Sequence, residues 1–378
     1  MNHTTINSTS LSCGFAFLPV NPERISSDLH AVLIVRAVVN ALTCPLIILL
    51  NILVMVAVKT KRQLRTKSNI ALACLATTDL VVGLVVQPLH IACYTLIYKG
   101  ETELFCNLVE KMLVITMKCV IASGNHFFLM IAERYLAIKH TFAYENQVTE
   151  VRIIIASGLA WAAAIILPME EILWSKKHFV TILRVSAILF ILFPVMVYFN
   201  VAVYMEVRRN EKQIAANQVS LEAKQKLLKN KKAFYTTIIV LFVIFLCYVP
   251  VNIFDIIVRS FKDRIPTNVG LIVLCFVTLS PILNSLFNPL IYAVRIRYFR
   301  VAFIQLLSRK TIAQAEELER KIFGPRQVGV ISTAEQGQRR ASREENDVHV
   351  QQGNETLNNE HETTARIQPH EEYEETAL

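Results

Sequence analysis

Seven long apolar blocks constrain the fold of this chain more than any other feature of its sequence. Their approximate bounds are 31–58, 69–93, 104–138, 152–169, 179–205, 233–258 and 268–293. A helix needs roughly 20 residues to cross the hydrocarbon core of a bilayer, and these blocks come close to or exceed that length. Because lipid offers no hydrogen-bond partner to an open backbone, we expect each block to form a membrane-spanning helix.

The composition agrees with an integral membrane protein. Hydrophobic residues make up 53% of the chain and charged residues only 18%, a balance that is rare in soluble domains. The eight cysteines show no CxxC spacing and no neighbouring histidine cluster, which disfavours a zinc site. A few charges fall inside the blocks, and we expect them to lie near helix ends and reach the membrane surface. They are Arg36, Lys111, Lys118 and Arg184.

Basic residues in the short loops predict the orientation of the chain. Segment 59–67 holds five basic residues and no acid, and segment 206–232 holds eight basic residues. We therefore expect a multi-pass protein of the plasma membrane with its N-terminus outside and its C-terminus inside the cell. Asn2 and Asn7 stand in glycosylation sequons on the expected outer side, in agreement with this topology.

Polar residues recur inside the apolar blocks, where each is costly without a partner. Asn51, Asp79 and Ser123 lie in blocks one to three, and Asn284 and Asn288 lie in block seven. A carboxylate at this depth must bind a cation, pair with hydrogen-bond donors or be protonated. Further motifs are Glu133-Arg134-Tyr135, Trp161, Pro194, Cys247-Tyr248-Val249-Pro250 and Asn288-Pro289-Leu290-Ile291-Tyr292.

In this order, the motifs resemble those of the rhodopsin-like (class A) G protein-coupled receptors, over residues 31–307. The resemblance implies an all-α membrane protein, a seven-transmembrane helix bundle with a short amphipathic eighth helix after Tyr292. It also implies a cell-surface receptor rather than an enzyme. Such a receptor couples an extracellular ligand to heterotrimeric G proteins through outward movement of the sixth helix. Residues 1–30 would be an extracellular segment, and residues 308–378 a largely disordered cytoplasmic tail.

The resemblance also assigns roles to single residues. Asp79, Ser123, Asn284 and Asn288 would surround an allosteric sodium ion, and no other cofactor is expected. Glu133, Arg134, Tyr135 and Tyr292 would form the switch that couples to the G protein. Two simpler interpretations stay open, since Asp79 could be a structural hydrogen-bond hub and Arg134 an ordinary anchor at the inner surface.

The ligand class is less constrained than the family. Thr116 replaces the acid of amine receptors and Ile282 replaces the lysine of opsins, which disfavours both classes. Asp255 could hold a cationic ligand group or pair with Arg259. The expected ligand-binding residues are Met112, Thr116, Met117, Val120, Tyr248, Asn252, Asp255 and Ile282.

The chain departs from the family pattern at several positions. The usual partner of Cys106 in the second outer loop is missing, so Cys106 could bond Cys13 or Cys93 or remain free. Tyr248 stands where the family has tryptophan. Asn230 stands where an acid often pairs with the arginine of the switch, which predicts a weaker resting state.

The tail and the inner surface predict further partners. Ser342, Thr363, Thr364 and Thr376 could be phosphorylated by a receptor kinase and recruit arrestin. The terminal Thr376-Ala377-Leu378 has the form that PDZ domains capture. The basic inner face would meet anionic membrane lipids, and no nucleic-acid partner is expected. A seven-helix transporter or channel is the alternative function.

Overall fold

Helices form most of the chain, as the apolar blocks predict. The structure, a computed structural model, describes residues 13–15, 18–20, 26–166, 178–216, 221–261, 264 and 266–324. The helices up to the seventh block are α1 (Ser27–Thr60), α2 (Lys67–Val81), α3 (Gln87–Lys99), α4 (Thr102–Lys139), α5 (Thr141–Gln147), α6 (Glu150–Ile166), α7 (His178–Ala216), α8 (Leu221–Ser260), α9 (Thr267–Val277) and α10 (Leu279–Arg295). A π-helical turn, Val82–Val86, joins α2 to α3. Each predicted block thus corresponds to one helix, or to two consecutive helices.

The ends of the chain differ in part from the prediction. Strands β1 (Cys13–Phe15) and β2 (Leu18–Val20) pair antiparallel, so the N-terminal segment is not purely helical. Helix α11 (Arg297–Ser308) follows α10 where a short helix is expected. Helix α12 (Ile312–Phe323) lies in the segment assigned to a disordered tail, and that assignment is wrong for these residues. Several predicted sites lie outside the described residues, namely Asn2, Asn7, Ser342, Thr363, Thr364 and Thr376-Ala377-Leu378.

Large apolar side chains face outward along the long helices. On α1, exposed Ile34, Val38, Leu42, Leu46 and Leu49 follow one another at spacings of three or four residues. In the part of the chain that the structure describes, Ser27–Thr60, Lys67–Lys99 and Phe234–Phe254 are long and apolar enough to cross a membrane. An apolar outer surface of this kind suits lipid rather than water.

The helices pack around two main apolar clusters at opposite ends of the bundle. We call the end where α1 begins and α3 ends the upper end, and the end where α1 and α4 finish the lower end. The upper cluster includes Leu29, Tyr94, Phe105 and Met112. The lower cluster joins α1, α2, α4, α10 and α11, and Phe299 of α11 is fully buried within it. The polar residues of the blocks therefore lie in an otherwise apolar interior.

The seventh block, predicted to be one helix, is interrupted. Helix α9 ends at Val277 and α10 begins at Leu279, so Thr278 separates them. Pro281 follows at once, and its ring nitrogen cannot donate to the carbonyl of Val277 four residues earlier. The interruption leaves backbone groups of this segment available to other helices.

Glycine at position 83 permits a close approach between α1 and the π-helical turn. A Cβ atom there would lie 2.9 Å from Cγ1 of Ile48. The Cys44 thiol contacts the Gly83 carbonyl at 3.2 Å. The π-helical turn after α2 therefore packs closely against the first helix.

Candidate functional site

A cluster of buried polar residues lies in the middle of the bundle. Asp79 of α2, Ser123 of α4, and Asn284 and Asn288 of α10 are each at most 5% exposed. The Asn288 amide donates to Oδ2 of Asp79 at 2.8 Å. Two of the residues predicted to form one site are thus in direct contact, although they are far apart in the chain.

The remaining polar atoms of this cluster are poorly satisfied. Within the described residues, no hydrogen bond reaches Asp79 Oδ1, Ser123 Oγ, Asn288 Oδ1 or either amide atom of Asn284. Buried polar groups without partners destabilise a fold, so such a set points to a missing partner. Carboxylate, hydroxyl and amide oxygens are the donors that small hard cations prefer. The oxygens of these four residues are therefore of the kind that could hold a sodium ion.

Asn51 and Trp161, two other residues that carry the resemblance, form hydrogen bonds between helices. The Asn51 amide donates to the carbonyls of Ile47 at 2.9 Å and Ser285 at 3.2 Å, which links α1 to α10. The Trp161 indole donates to Thr77 Oγ1 at 3.2 Å, which links α6 to α2. Both contacts hold the helices that carry Asp79 and Asn288 in place.

At the lower end, Glu133 and Arg134 form an ion pair. The Arg134 Nε atom lies 3.5 Å from Glu133 Oε2. The other oxygen, Oε1, accepts a hydrogen bond from Ser68 at 2.7 Å and one from the Tyr144 hydroxyl. Glu133 is 4% exposed, so these contacts are largely shielded from water.

Sequence reasoning missed Ser68 and Tyr144 as partners of this ion pair. Tyr144 lies on α5, in the loop between the third and fourth blocks. Burial and the charge of Glu133 raise the pKa of the Tyr144 phenol above its ordinary value. The phenol is thus a neutral donor to the carboxylate. A lone tyrosine in a loop carries no sequence signal for such a role.

The other two residues of the predicted switch occupy separate places. The Tyr135 hydroxyl accepts from Lys139 at 2.6 Å, and its ring packs against Phe199. Tyr292 is buried against Phe299, with ring centres 6.1 Å apart. Its hydroxyl has no hydrogen-bond partner among the described residues. Tyr292 is therefore available for a new contact if the lower ends of the helices move.

The predicted ligand-binding residues form a mainly apolar set. Met112 and Ile282 are buried, and Thr116, Met117, Val120, Tyr248 and Asn252 are half-buried. The Asp255 side chain lies outside the described residues. Thr116 donates to the Met112 carbonyl and Asn252 to the Tyr248 carbonyl, both at 2.7 Å. These two polar side chains therefore donate to acceptors on their own helices.

The cysteines at the upper end narrow the disulfide alternatives. Cys106 is disulfide-bonded, so the alternative that it stays free is wrong. Cys93 is a buried free thiol and is excluded as its partner. Strand β1, which contains Cys13, packs against α4, the helix of Cys106.

Arg36 differs most from its prediction. Instead of reaching the membrane surface it is 2% exposed and points into the bundle. It donates to the Cys275 carbonyl and to Thr278 Oγ1 at the interruption of the seventh block. The carbonyl is available because the helix is broken there.

Comparison with known proteins now identifies the family. The family model described as "7 transmembrane receptor (rhodopsin family)" matches residues 50–181 and 174–292. Adenosine receptor A3 of Ovis aries is 26% identical over 293 residues, covering 70% of this chain and 86% of the relative. The 5-hydroxytryptamine receptor 1E of Homo sapiens is 28% identical over 163 residues, covering 43% of this chain and 42% of the relative. The histamine H2 receptor of Homo sapiens is 34% identical over 131 residues, covering 34% and 35% of the two chains.

The family model and the match to adenosine receptor A3 extend over most of the helical region, and the three relatives named here are receptors. The chain is therefore a multi-pass membrane protein and a signalling receptor rather than an enzyme. It belongs to the rhodopsin family of seven-transmembrane, G protein-coupled receptors.

Proposed function

We propose that this receptor couples an extracellular small-molecule ligand to heterotrimeric G proteins through outward movement of α8, the sixth transmembrane helix. The observation that supports this most strongly is the shielded Glu133–Arg134 ion pair at the lower end. Basic residues of segment 59–67, of the end of α7 and of the start of α8 adjoin the same end, which supports a cytosolic position for it. Arg134 is held there in the resting arrangement and would be released to the G protein.

The sixth and seventh transmembrane helices provide the moving parts. Pro250 lies inside α8 and cannot donate to the carbonyl of Leu246, which weakens the helix at that point. Ser280 at the start of α10 donates to the Cys247 carbonyl at 2.7 Å. A ligand that changes the packing of Tyr248 would thus act on both helices. To change the ratio of active to resting receptor from 1:99 to 99:1, a ligand must bind the active state more tightly by about 5.5 kcal/mol.

The buried cluster around Asp79 is the proposed sodium site. Asp79, Ser123, Asn284 and Asn288 would hold the ion, which supplies a positive charge to the buried carboxylate. The unpartnered oxygens of Asp79, Ser123 and Asn284 support this assignment. Because the site joins α2, α4 and α10, an ion there favours the resting packing of these helices.

The ligand class follows in part from the relatives. They include receptors named for adenosine, 5-hydroxytryptamine and histamine. Thr116 is no substitute for an acid, and its hydroxyl proton is donated to the Met112 carbonyl. We therefore assign a small organic ligand that is held mainly by apolar contacts with Met112, Met117, Val120 and Ile282.

The ends of the chain would serve the receptor on the two sides of the membrane. Residues 1–30 would lie outside and 308–378 inside the cell, with the receptor domain between them. Helix α11 would be the amphipathic eighth helix, since Phe299 and Phe303 are buried while Tyr298 is exposed. Receptor kinase, arrestin, a PDZ protein and anionic lipids are the proposed partners of the inner surface and tail. A transporter or channel is not favoured, because the similar proteins are receptors.

The test is nucleotide exchange on purified G protein by full-length receptor in lipid nanodiscs. An agonist would first be sought among amines, nucleosides, lipids and peptides in cells that express the chain. We expect Arg134→Ala to abolish stimulated exchange while surface expression persists. Arg62→Ala, which removes an exposed cation at the same end, should keep exchange within about twofold of wild type. Unchanged exchange in Arg134→Ala would contradict the proposal.

A further inference from the structure

The guanidinium of Arg36 lies in the upper half of the bundle. Only part of its hydrogen-bond donors have acceptors among the described residues. One of its nitrogens, Nη1, donates to the Cys275 carbonyl and to Thr278 Oγ1. The ring of Tyr94 lies beneath the group, with 5.0 Å between Arg36 Cζ and the ring centre. Among the described residues, Nε and Nη2 of Arg36 have no hydrogen-bond partner.

Within the described residues, the charge of Arg36 also lacks a carboxylate partner. None of the carboxylates that the structure describes forms an ion pair with it, and the residue is 2% exposed. A buried, unpaired charge is strongly destabilising. The fold therefore holds a site where an anion would be stabilised.

Neighbouring side chains add to the same site. His90 Nδ1 is 3.0 Å from the Tyr94 hydroxyl, and His90 Nε2 is buried without a partner among the described residues. The Gln87 amide donates to Thr43 at 2.8 Å. The first and second transmembrane helices thus present guanidinium donors and an imidazole nitrogen, with no acid among these residues.

The walls around this group are apolar. The upper cluster that contains Tyr94 and Cys275 also contains Leu33, Phe105 and Met112. Met112 is one of the residues assigned to ligand binding. Met112 thus belongs both to the apolar cluster beside Arg36 and to the residues assigned to ligand binding.

We infer that Arg36, with His90 and Tyr94 beside it, binds the acidic head group of an amphiphilic ligand whose apolar body packs in the upper cluster. The head group is a carboxylate or a phosphate, since both accept two parallel hydrogen bonds from a guanidinium. This inference rests on the proposed function, because it names the chemical class of the receptor's ligand.

The test is equilibrium binding to the full-length chain in nanodiscs of a neutral phospholipid. Three probes share one hydrocarbon chain, namely oleate, oleyl phosphate and the uncharged oleyl alcohol. We expect wild type to bind at least one of the two acids ten times more tightly than the alcohol, and the tighter acid identifies the head group. Arg36→Gln should remove this preference. Lys99→Gln, which deletes an exposed cation at the same end, should retain it.

Two results would overturn the inference. One is equal affinity of wild type for both acids and the alcohol, a comparison that needs no variant and stands even where Arg36→Gln does not fold. The other is an acid preference that persists in folded Arg36→Gln. The assay contains no G protein, so it separates this inference from the proposed function. Acid binding through Arg36 would stand even where the separate nucleotide-exchange assay contradicts the proposed function.

Discussion

Glu133 shows how one buried acid can connect three elements. Its carboxylate contacts Arg134 on α4, Ser68 on α2 and Tyr144 on α5. Because the Tyr144 pKa is raised, its phenol keeps its proton below pH about 10. The contribution of this bond to stability is then fully present at physiological pH and is lost only as the pH rises through the raised pKa.

Removing the Tyr144 hydroxyl should weaken the resting state. Tyr144→Phe deletes one hydrogen bond to a charged acceptor, a contact worth about 1.5–3 kcal/mol. If that contact belongs to the resting state alone, basal nucleotide exchange should rise about tenfold. Tyr298→Phe, in an exposed tyrosine of α11, is the matched control and should leave the basal rate unchanged. A basal rate for Tyr144→Phe equal to wild type would show that the bond is structural.

The sodium site proposed around Asp79 predicts that sodium stabilises the receptor. Replacing potassium chloride by sodium chloride at equal ionic strength should raise the melting temperature of purified wild-type receptor. At ten times the dissociation constant the gain is about 1.4 kcal/mol, or about 3 °C. Asp79→Asn should lose this difference between the two salts, because the buried carboxylate is gone. Asp28→Asn, in an exposed acid of α1, should retain it. Identical melting of wild type in both salts would reject the sodium site.

At the scale of elements, α11 is anchored by its aromatic residues. Phe299 is fully buried between Tyr292 and Phe303, with ring centres 6.1 Å and 5.9 Å away. Phe299→Ala should destabilise the receptor by about 3–5 kcal/mol, because it leaves a cavity at the junction of α10 and α11. Tyr298→Ala, one residue away and 55% exposed, should change stability by less than about 0.5 kcal/mol. Thermal unfolding of both variants measures the difference, and equal losses would mean that α11 does not pack as described.

The helices themselves could be predicted because membrane-spanning segments are specified by local composition. Twenty apolar residues identify a helix without knowledge of its neighbours. The interruption at Thr278 was missed because a proline such as Pro281 can kink a helix without interrupting it. Helix α12 was missed because a tail rich in polar residues resembles a disordered one. Each error arose where composition alone does not determine backbone geometry.

Contacts between distant helices were predictable only through the resemblance. It placed Asp79 and Asn288 in one site, and the Asn288 amide nitrogen lies 2.8 Å from Asp79 Oδ2. It said nothing of Arg36, whose position in the first block suggested a surface location. Whether such a residue faces lipid or the bundle depends on helix rotation, which neighbouring helices determine. The partners of Arg36 on the seventh block therefore required the structure.

For the whole molecule, the proposed topology makes a separate prediction. With the N-terminus outside, an antibody to an N-terminal tag should bind intact cells, and one to a C-terminal tag should bind only after permeabilisation. Enzymatic removal of N-linked glycans should increase the mobility of wild type on a gel. The double variant Asn2→Gln, Asn7→Gln should show no such shift, because both acceptors are gone. Binding of the C-terminal antibody to intact cells would contradict the proposed orientation. It would also contradict the assignment of the lower end as the G protein surface.

The length of α8 below Pro250 has a mechanical consequence. At a rise of 1.5 Å per residue, the stretch from Leu221 to Pro250 is about 43 Å long. A tilt of only about 10° at the proline would therefore displace the far tip by about 7 Å. Lys231 pairs with Glu211 of α7, so the fifth transmembrane helix would be drawn along. A small change in tilt near the ligand pocket thus produces, at the far end of α8, a displacement comparable to the radius of a helix.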